Sequence, residues 1–166
     1  MYILGFCDSL ENMIRVAING FGRIGRAAFK VGVDKFSDQV EFVAINDLTT
    51  PQVLSHLLRY DTVYGMWNHQ VSFNEQHIIV DQKKYPVLVE KDPTKLPWKD
   101  LNIDVVIEST GRFTTEERLR GHLLSGAKKV VLSAPAKDGN IGTYLMGVNH
   151  QNYQGEEVVN NASCTT

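Results

Sequence analysis

The sequence predicts an α/β fold of the Rossmann type, in which a doubly wound, mostly parallel sheet carries a small antiparallel insertion. Strand and helix patterns alternate along most of the chain. The strand patterns are nearly continuous apolar runs, which is typical of parallel strands covered by helices on both faces. Residues 71–89 interrupt the alternation with short pieces separated by polar turns, and these pieces favour antiparallel pairing.

Each predicted element follows from its own pattern. Before the insertion, residues 14–18 and 40–45 are predicted strands and residues 22–33 and 51–60 are predicted helices. The insertion consists of the pieces 71–73, 77–80 and 85–89. After it come a strand at 105–108, a helix at 115–124, a stop at Gly126, a strand at 129–132 and two further apolar pieces at 144–148 and 158–159. For the third helix, Thr114 is a candidate N-cap with Glu117 placed for a capping box.

Composition narrows the classes of function. The 166 residues are 43% hydrophobic and 22% charged, as expected for one globular domain. A net charge of -2 provides no basic surface for nucleic acid or an anionic membrane, so neither is an expected partner. No apolar run reaches the roughly 18 to 20 residues of a membrane-spanning helix. The two cysteines, Cys7 and Cys164, form neither a disulfide framework nor a metal site, so a cytoplasmic location is expected.

A glycine motif lies where the first predicted strand meets the first helix. Gly20, Gly22 and Gly25 have the G-x-G-x-x-G spacing. In a dinucleotide-binding fold the first glycine permits a tight turn, the second lets the backbone approach a diphosphate, and the third lets helix and strand pack closely. The helix N-terminus then offers free N–H groups to the diphosphate. The alternative is an ordinary glycine-rich turn.

Asp47 ends the second predicted strand, where an acid is expected to bind the adenosine ribose. Its negative charge would repel a 2′-phosphate, so the site should prefer NAD over NADP. Asp47 is alternatively a turn or N-cap residue, as aspartate often is after a strand, and the two roles are compatible.

The chain from Met13 onward resembles the phosphorylating glyceraldehyde-3-phosphate dehydrogenases. The matching segments are residues 14–26, 45–48, 56–61, 92–93, 96–98, 108–113, 126–130, 133–137 and 161–166, the first reading Ile-Arg-Val-Ala-Ile-Asn-Gly-Phe-Gly-Arg-Ile-Gly-Arg and the last Asn-Ala-Ser-Cys-Thr-Thr. Met13 lies directly before the first predicted strand, so residues 1–12 are expected to be an N-terminal extension. The resemblance implies an NAD-binding domain at residues 13–166, with the catalytic domain absent.

The resemblance also implies roles for individual residues in binding NAD. Arg23 and Ile24 would lie at the diphosphate together with the glycine loop. Thr110, Gly111 and Phe113 would lie beside the adenine half, and Ser133 near the nicotinamide end. Lys91 stands where the family usually has arginine; it keeps the charge but loses the planar guanidinium, which leaves its contact with the cofactor open.

Cys164 resembles the catalytic nucleophile of the family, with Ser163 and Thr165 beside it as substrate-binding residues. A thiolate is both an adequate nucleophile and a good acyl leaving group, which the thioester chemistry of the family requires. The histidine that would act as its base does not match any of the five histidines here, and the helix that would favour the thiolate begins at about Cys164. We therefore expect the isolated chain to bind NAD without efficient turnover.

For the full-length protein, the resemblance implies oxidation of glyceraldehyde 3-phosphate with NAD and inorganic phosphate, in a homotetramer. Two alternatives stay open: a non-catalytic dinucleotide-binding or interaction module, and a part of erythrose-4-phosphate dehydrogenase. The latter tends to have glutamate at the position of Asp47, which favours the triose enzyme.

Overall fold

A computed structural model describes residues 13–138 and 141–163 of the chain. Its strands are β1 (Ile14–Asn19), β2 (Val40–Asn46), β3 (Tyr60–Asp61), β4 (Gly65–Met66), β5 (Val71–Phe73), β6 (His77–Val80), β7 (Lys83–Leu88), β8 (Val105–Glu108), β9 (Lys129–Leu132), β10 (Gly142–Thr143) and β11 (Val158–Asn160). Its α-helices are α1 (Arg23–Lys35), α2 (Pro51–Arg59) and α3 (Glu116–Leu124). Short 3₁₀ turns lie at Pro93–Lys95 and His150–Asn152.

The main sheet has the strand order β10-β11-β9-β8-β1-β2-β7-β6-β5. From β10 to β7 every pair is parallel, whereas β7, β6 and β5 pair antiparallel. Strands β3 and β4 form a separate antiparallel pair. The mostly parallel, Rossmann-type α/β fold and the antiparallel insertion predicted from the sequence are both confirmed.

The central strand β1 explains where a ligand can bind. The chain leaves β1 through α1 to reach β2 on one side, and it later returns to place β8 on the other side. The connections therefore diverge at the carboxyl ends of β1 and β8, which is the switch point where open α/β sheets bind ligands.

Both faces of the sheet are buried. On one face, Phe29 of α1 and Leu58 of α2 pack with Val16 and Ile18 of β1, and all four side chains are at most 5% exposed. On the other face, Ala17 contacts the cluster around Trp98 and Ile103, while Leu119 of α3 packs on β9 and β11. Alternate residues of β1 thus serve opposite faces, as the near-continuous apolar strand predicted.

The ends of the first two helices follow from local chemistry. Pro51 occupies the first turn of α2, where its fixed φ suits the helix and its missing N–H is not needed. The side chain of Thr50 accepts a hydrogen bond from Val53 N at 3.5 Å and so caps the helix. Helix α1 begins at Arg23, with Gly22 at its N-cap and no side-chain hydrogen bond capping it.

The predicted cap of the third helix is wrong. Helix α3 begins at Glu116 with Thr115 at the N-cap, and neither a Thr114 cap nor a capping box with Glu117 forms. Instead Asp138 Oδ2 accepts from Glu116 N at 2.8 Å. A carboxylate distant in sequence replaces the local hydroxyl, and a search for local capping patterns cannot detect it.

The apolar piece at 144–148 is not a strand. Strand β10 ends at Thr143, and Met146 and Val148 are 83% and 77% exposed. The piece at 158–159 lies within β11. Within residues 13–138 and 141–163, no helix combines the length and the apolar character that crossing a bilayer requires.

Candidate dinucleotide-binding groove

A groove of about 240 Å³ runs across the carboxyl ends of the parallel strands. Its lining comes from the residues at or just after the ends of β1, β2, β7 and β8: Asn19, Gly20, Gly22, Asn46, Asp47, Leu48, Glu90, Lys91, Ser109, Thr110, Arg112 and Phe113. Segments far apart in sequence therefore meet at the switch point of the sheet, because parallel strands present their carboxyl ends at one edge.

The glycine loop has the backbone geometry that its motif predicts. Gly20 has a φ of +89°, and a Cβ built there would lie 2.6 Å from Thr110 N. A Cβ at Gly25 would collide with the carbonyl oxygen of Gly20. Gly22, by contrast, has open space where its Cβ would lie. Two of the glycines are thus required for packing, while the third leaves its space to the groove.

The N-terminus of α1 opens beside Gly22. No side chain caps it, and its first turn contains no acidic residue. The first N–H groups of a helix have no partner within the helix and carry a partial positive charge. This end of the helix can therefore donate hydrogen bonds to an anionic group.

Asp47 lines the groove and also orders the loops around it. Its Oδ2 accepts from Phe21 N at 2.7 Å, and its Oδ1 accepts from Thr49 N at 2.9 Å. The turn role considered from the sequence is therefore present. The carboxylate links the end of β2 to the glycine loop, so it fixes the position of the glycine loop relative to β2.

Two arginines of α1 lie near the loop. Arg23 Nη1 pairs with Asp61 Oδ2 at 3.0 Å, and Arg26 Nη1 donates to the carbonyl oxygen of Phe21 at 2.8 Å. Burial, followed by the neighbouring charge of Arg23, lowers the pKa of Arg26. Hydrogen bonds from Val63 N and Tyr64 N lower the pKa of Asp61, which keeps this carboxylate charged opposite Arg23.

The structure brings together part of the site predicted from the sequence. The predicted cofactor-binding residues that line the groove are Gly20, Gly22, Asp47, Lys91, Thr110 and Phe113. Those that lie outside its lining are Arg23, Ile24, Gly25, Gly111 and Ser133. Ser133 follows β9, the next strand along the sheet, and its N–H donates to Glu108 O at 2.9 Å.

The predicted catalytic and substrate-binding residues fall at the C-terminal end. Ser163 N donates to Asn161 O at 3.2 Å, close after β11. Cys164 and Thr165 lie outside the described residues.

Several groove residues escaped prediction from the sequence. Asn19 and Asn46 end β1 and β2 and are at most 4% exposed, while Glu90, Ser109 and Arg112 line the groove beside them. The detectable signal was a polar residue at the end of an otherwise apolar strand, since a buried amide needs hydrogen-bond partners.

Comparison with known proteins identifies the family. A model of the "Glyceraldehyde 3-phosphate dehydrogenase, NAD binding domain" matches residues 14–116. The chain belongs to this family. Membership confirms the predicted family and NAD as the cofactor of the domain.

Curated relatives agree with this assignment. The chain is 51% identical over 156 residues to glyceraldehyde-3-phosphate dehydrogenase 1 of Bacillus cereus, covering 93% of the chain and 46% of that protein. It is 48% identical over 155 residues to the Thermotoga maritima enzyme, with the same coverage, and 47% identical over 155 residues to the Geobacillus stearothermophilus enzyme, covering 92% of the chain and 45% of that protein. The chain thus spans about half the length of the curated relatives it matches.

The groove fits a dinucleotide on its own geometry. The open space at Gly22 and the uncapped start of α1 offer room and N–H donors for a diphosphate. The carboxylate of Asp47 stands at the end of the neighbouring strand, where a ribose hydroxyl would be bound.

Proposed function

We propose that the chain holds NAD in this groove, with the diphosphate against the start of α1 and the adenosine ribose at Asp47. The observation that carries the proposal is the meeting of four strand ends and the glycine loop around one groove. Arg23 and Ile24 follow Gly22 in the first turn of α1, which supports a place for them beside the diphosphate.

The remaining residues divide the groove along its length. Lys91, Thr110 and Phe113 line it and are proposed to contact the adenine half of NAD, with Gly111 shaping the turn between them at a φ of +70°. Ser133 follows β9, on the side of β8 away from β2, which supports its proposed place near the nicotinamide end.

For the whole protein, we propose the phosphorylating oxidation of glyceraldehyde 3-phosphate. Cys164 would attack the aldehyde carbon as a thiolate, and inorganic phosphate would later displace the thiolate from the thioester to give an acyl phosphate. Bound NAD supplies the hydride acceptor that converts the first adduct into the thioester. Ser163 and Thr165 would donate hydrogen bonds to substrate or phosphate. A homotetrameric assembly and a cytoplasmic location belong to the same proposal.

For the 166-residue chain itself, we propose that it binds NAD but turns over poorly. It corresponds to 46% of the length of the Bacillus cereus relative and matches the family model of the cofactor domain. His122, which is fully buried among Trp98 and Glu108, is not placed as an accessible base. We propose further that residues 13–166 form this domain and that residues 1–12 are an extension.

Two measurements on the purified chain test these statements. Calorimetric titration with NAD is expected to show binding, and NADH formation from glyceraldehyde 3-phosphate plus phosphate is expected to stay at background. A lack of binding at millimolar NAD would contradict the cofactor role. Steady NADH formation would contradict the proposed inactivity of the isolated chain.

A further inference from the structure

A buried polar network lies beneath the groove, with Glu108 at its centre. Glu108 ends β8 and is 0% exposed. Its Oε2 accepts from Asn19 Nδ2 at 2.5 Å and lies 3.1 Å from His122 Nε2. Its Oε1 accepts from Thr110 N at 2.8 Å and from the Thr110 hydroxyl. The carboxylate therefore joins β1, α3 and the loop that follows β8.

The hydrogen-bond direction on the helix side is fixed by Trp98. The indole N–H can only donate, and Trp98 Nε1 lies 3.0 Å from His122 Nδ1. His122 Nδ1 is therefore the acceptor, so the ring proton is on Nε2 and points to Glu108 Oε2. The Nε2 atom lies 3.4 Å from Asn19 Nδ2, a separation that suits two donors sharing one acceptor.

The direction on the strand side is fixed by backbone groups of Glu90. Asn46 Oδ1 accepts from Glu90 N at 2.9 Å, and Asn46 Nδ2 donates to Glu90 O at 2.8 Å. This orientation makes Asn46 Nδ2 the donor to Asn19 Oδ1 at 2.7 Å. Asn19 must then present its own Nδ2 to Glu108. Donors converge on the carboxylate from both sides.

Thr110 connects this hub to the groove. Its hydroxyl donates to Glu108 and accepts from Arg112 N at 3.1 Å, so one oxygen orders the turn that contains Gly111. Thr110 also packs against Gly20, because a Cβ on that glycine would meet its backbone. The position of Thr110 relative to the glycine loop therefore depends on the hydrogen bonds that Thr110 donates to Glu108.

We propose that Glu108 is a positioning residue for NAD, which acts by holding Thr110 and its turn in the binding conformation. The inference rests on the proposed placement of NAD in this groove. The site needs a carboxylate because only two acceptor oxygens satisfy all the converging donors. A glutamine has one such oxygen, and its amide nitrogen would face either Thr110 N or the donors of Asn19 and His122.

The first test replaces Glu108 with glutamine, which preserves size and removes one acceptor. Glu108→Gln is expected to raise the Kd for NAD about tenfold or more, because it leaves a buried hydrogen-bond donor without an acceptor and so disfavours the binding conformation. Ile103→Val is the control, because Ile103 is fully buried in the cluster around Trp98 and lies outside the groove lining. The Kd of Ile103→Val for NAD should stay within about twofold of the Kd of the original chain. A Kd for Glu108→Gln that equals the control value would overturn the proposal.

The second test asks whether Glu108 acts through Thr110. Thr110→Ser keeps the hydroxyl that donates to Glu108, whereas Thr110→Val removes it and should bind NAD several-fold more weakly than Thr110→Ser. In the double variant of Glu108→Gln and Thr110→Val, the Kd should be close to that of Glu108→Gln alone, because both changes break one arrangement. Effects that multiply would indicate two independent structural contributions and would overturn the positioning role.

The outcomes separate this inference from the proposed function. Absence of NAD binding by the unsubstituted chain would contradict the placement of NAD. Binding by that chain together with an unaffected Glu108→Gln would contradict the positioning role alone. If circular dichroism shows that Glu108→Gln does not fold, the two Thr110 variants decide the question, and equal affinity of Thr110→Val and Thr110→Ser would overturn it.

Discussion

Asp47 orders the loops around the groove and is also the residue proposed to bind the adenosine ribose. Its two oxygens already accept hydrogen bonds from Phe21 N and Thr49 N, so the carboxylate is held in place before any cofactor enters. A carboxylate oxygen can accept more than one hydrogen bond, which leaves capacity for ribose hydroxyl groups.

Substitution of Asp47 should change cofactor preference. Asp47→Ala and Asp47→Gly remove the charge that opposes a 2′-phosphate, so the ratio of NADP to NAD affinity should rise about tenfold. Both variants should also bind NAD more weakly than the original chain. Part of this loss should arise because Phe21 N and Thr49 N no longer donate hydrogen bonds to Asp47, which releases the loops that contain them. Calorimetric titration of both cofactors measures the ratio, and an unchanged ratio would argue against contact between Asp47 and the ribose.

His69 forms a pH-dependent link near the C-terminal end of α1, where Asp34 lies. Its Nδ1 contacts Asp81, and its Nε2 lies 2.9 Å from Asp34 Oδ1. The hydrogen bond to Asp81 raises the pKa of His69 above 6.5, burial opposes this shift, and the hydrogen bond to Asp34 adds to it. Stabilisation by protonated His69 is therefore complete below about pH 6.5 and is lost as the pH rises through the pKa of the folded state.

The difference in Tm between the original chain and His69→Gln should accordingly be largest below pH 6.5 and shrink at higher pH. His77→Gln is the matched control, because His77 Nδ1 contacts the uncharged amide of Asn74 at 3.1 Å. Thermal unfolding followed across this pH range measures both differences. A His69→Gln difference that grows with pH would show that the sign is wrong.

At the scale of elements, the two glycines at opposite ends of α1 have different surroundings. Gly22 has open space at its Cβ position, while a Cβ at Gly32 would collide with the ring of Phe42. One glycine therefore leaves room for a ligand, and the other allows α1 to lie close to β2.

Two alanine substitutions should separate these roles. Gly22→Ala should keep the Tm close to that of the original chain but raise the Kd for NAD several-fold, since the added methyl group occupies the proposed diphosphate space. Gly32→Ala should lower the Tm and leave the Kd of the folded chain unchanged. Thermal unfolding combined with NAD titration distinguishes them, and a joint loss of both properties in each variant would refute the separation.

The elements of the sheet were predictable where local pattern decides structure. Strands such as β1 and β8 follow from apolar runs, and α2 follows from Thr50 and Pro51 at its start. The start of α3 was not predictable, because the carboxylate that accepts a hydrogen bond from Glu116 N belongs to Asp138, 22 positions further along the chain. Contacts of this kind depend on the tertiary fold and leave no periodic signal.

The site shows the same division. The glycine loop and Asp47 were predictable because their spacing follows from strand and helix lengths. The network of Glu108, His122 and Trp98 was not, because its members become neighbours only when α3 packs on the sheet. From the sequence, it could be said of His122 only that it does not match the catalytic base of the family. In the structure His122 is fully buried, and its two ring nitrogens contact Trp98 and Glu108, which makes it a member of the buried network.

For the whole molecule, the family assignment and the geometry make ligand binding the property to measure. NAD bound to the folded chain alone would raise the free energy of unfolding by about 2.7 kcal/mol at a hundred times its Kd. The Tm should therefore increase with NAD concentration, whereas NADP at the same concentrations should give a smaller increase. Differential scanning calorimetry checks this, and equal increases would contradict the preference assigned to Asp47.

The most direct test of the proposed placement of NAD in the groove is a titration of the isotopically labelled chain with NAD, followed by amide NMR shifts. We predict that the largest changes occur at Gly20, Gly22, Asp47 and Thr110, on the carboxyl edge of the sheet, while amides at the amino edge, such as Ile14 and Val105, change little. Changes centred away from the carboxyl edge, or none at millimolar NAD, would contradict the account.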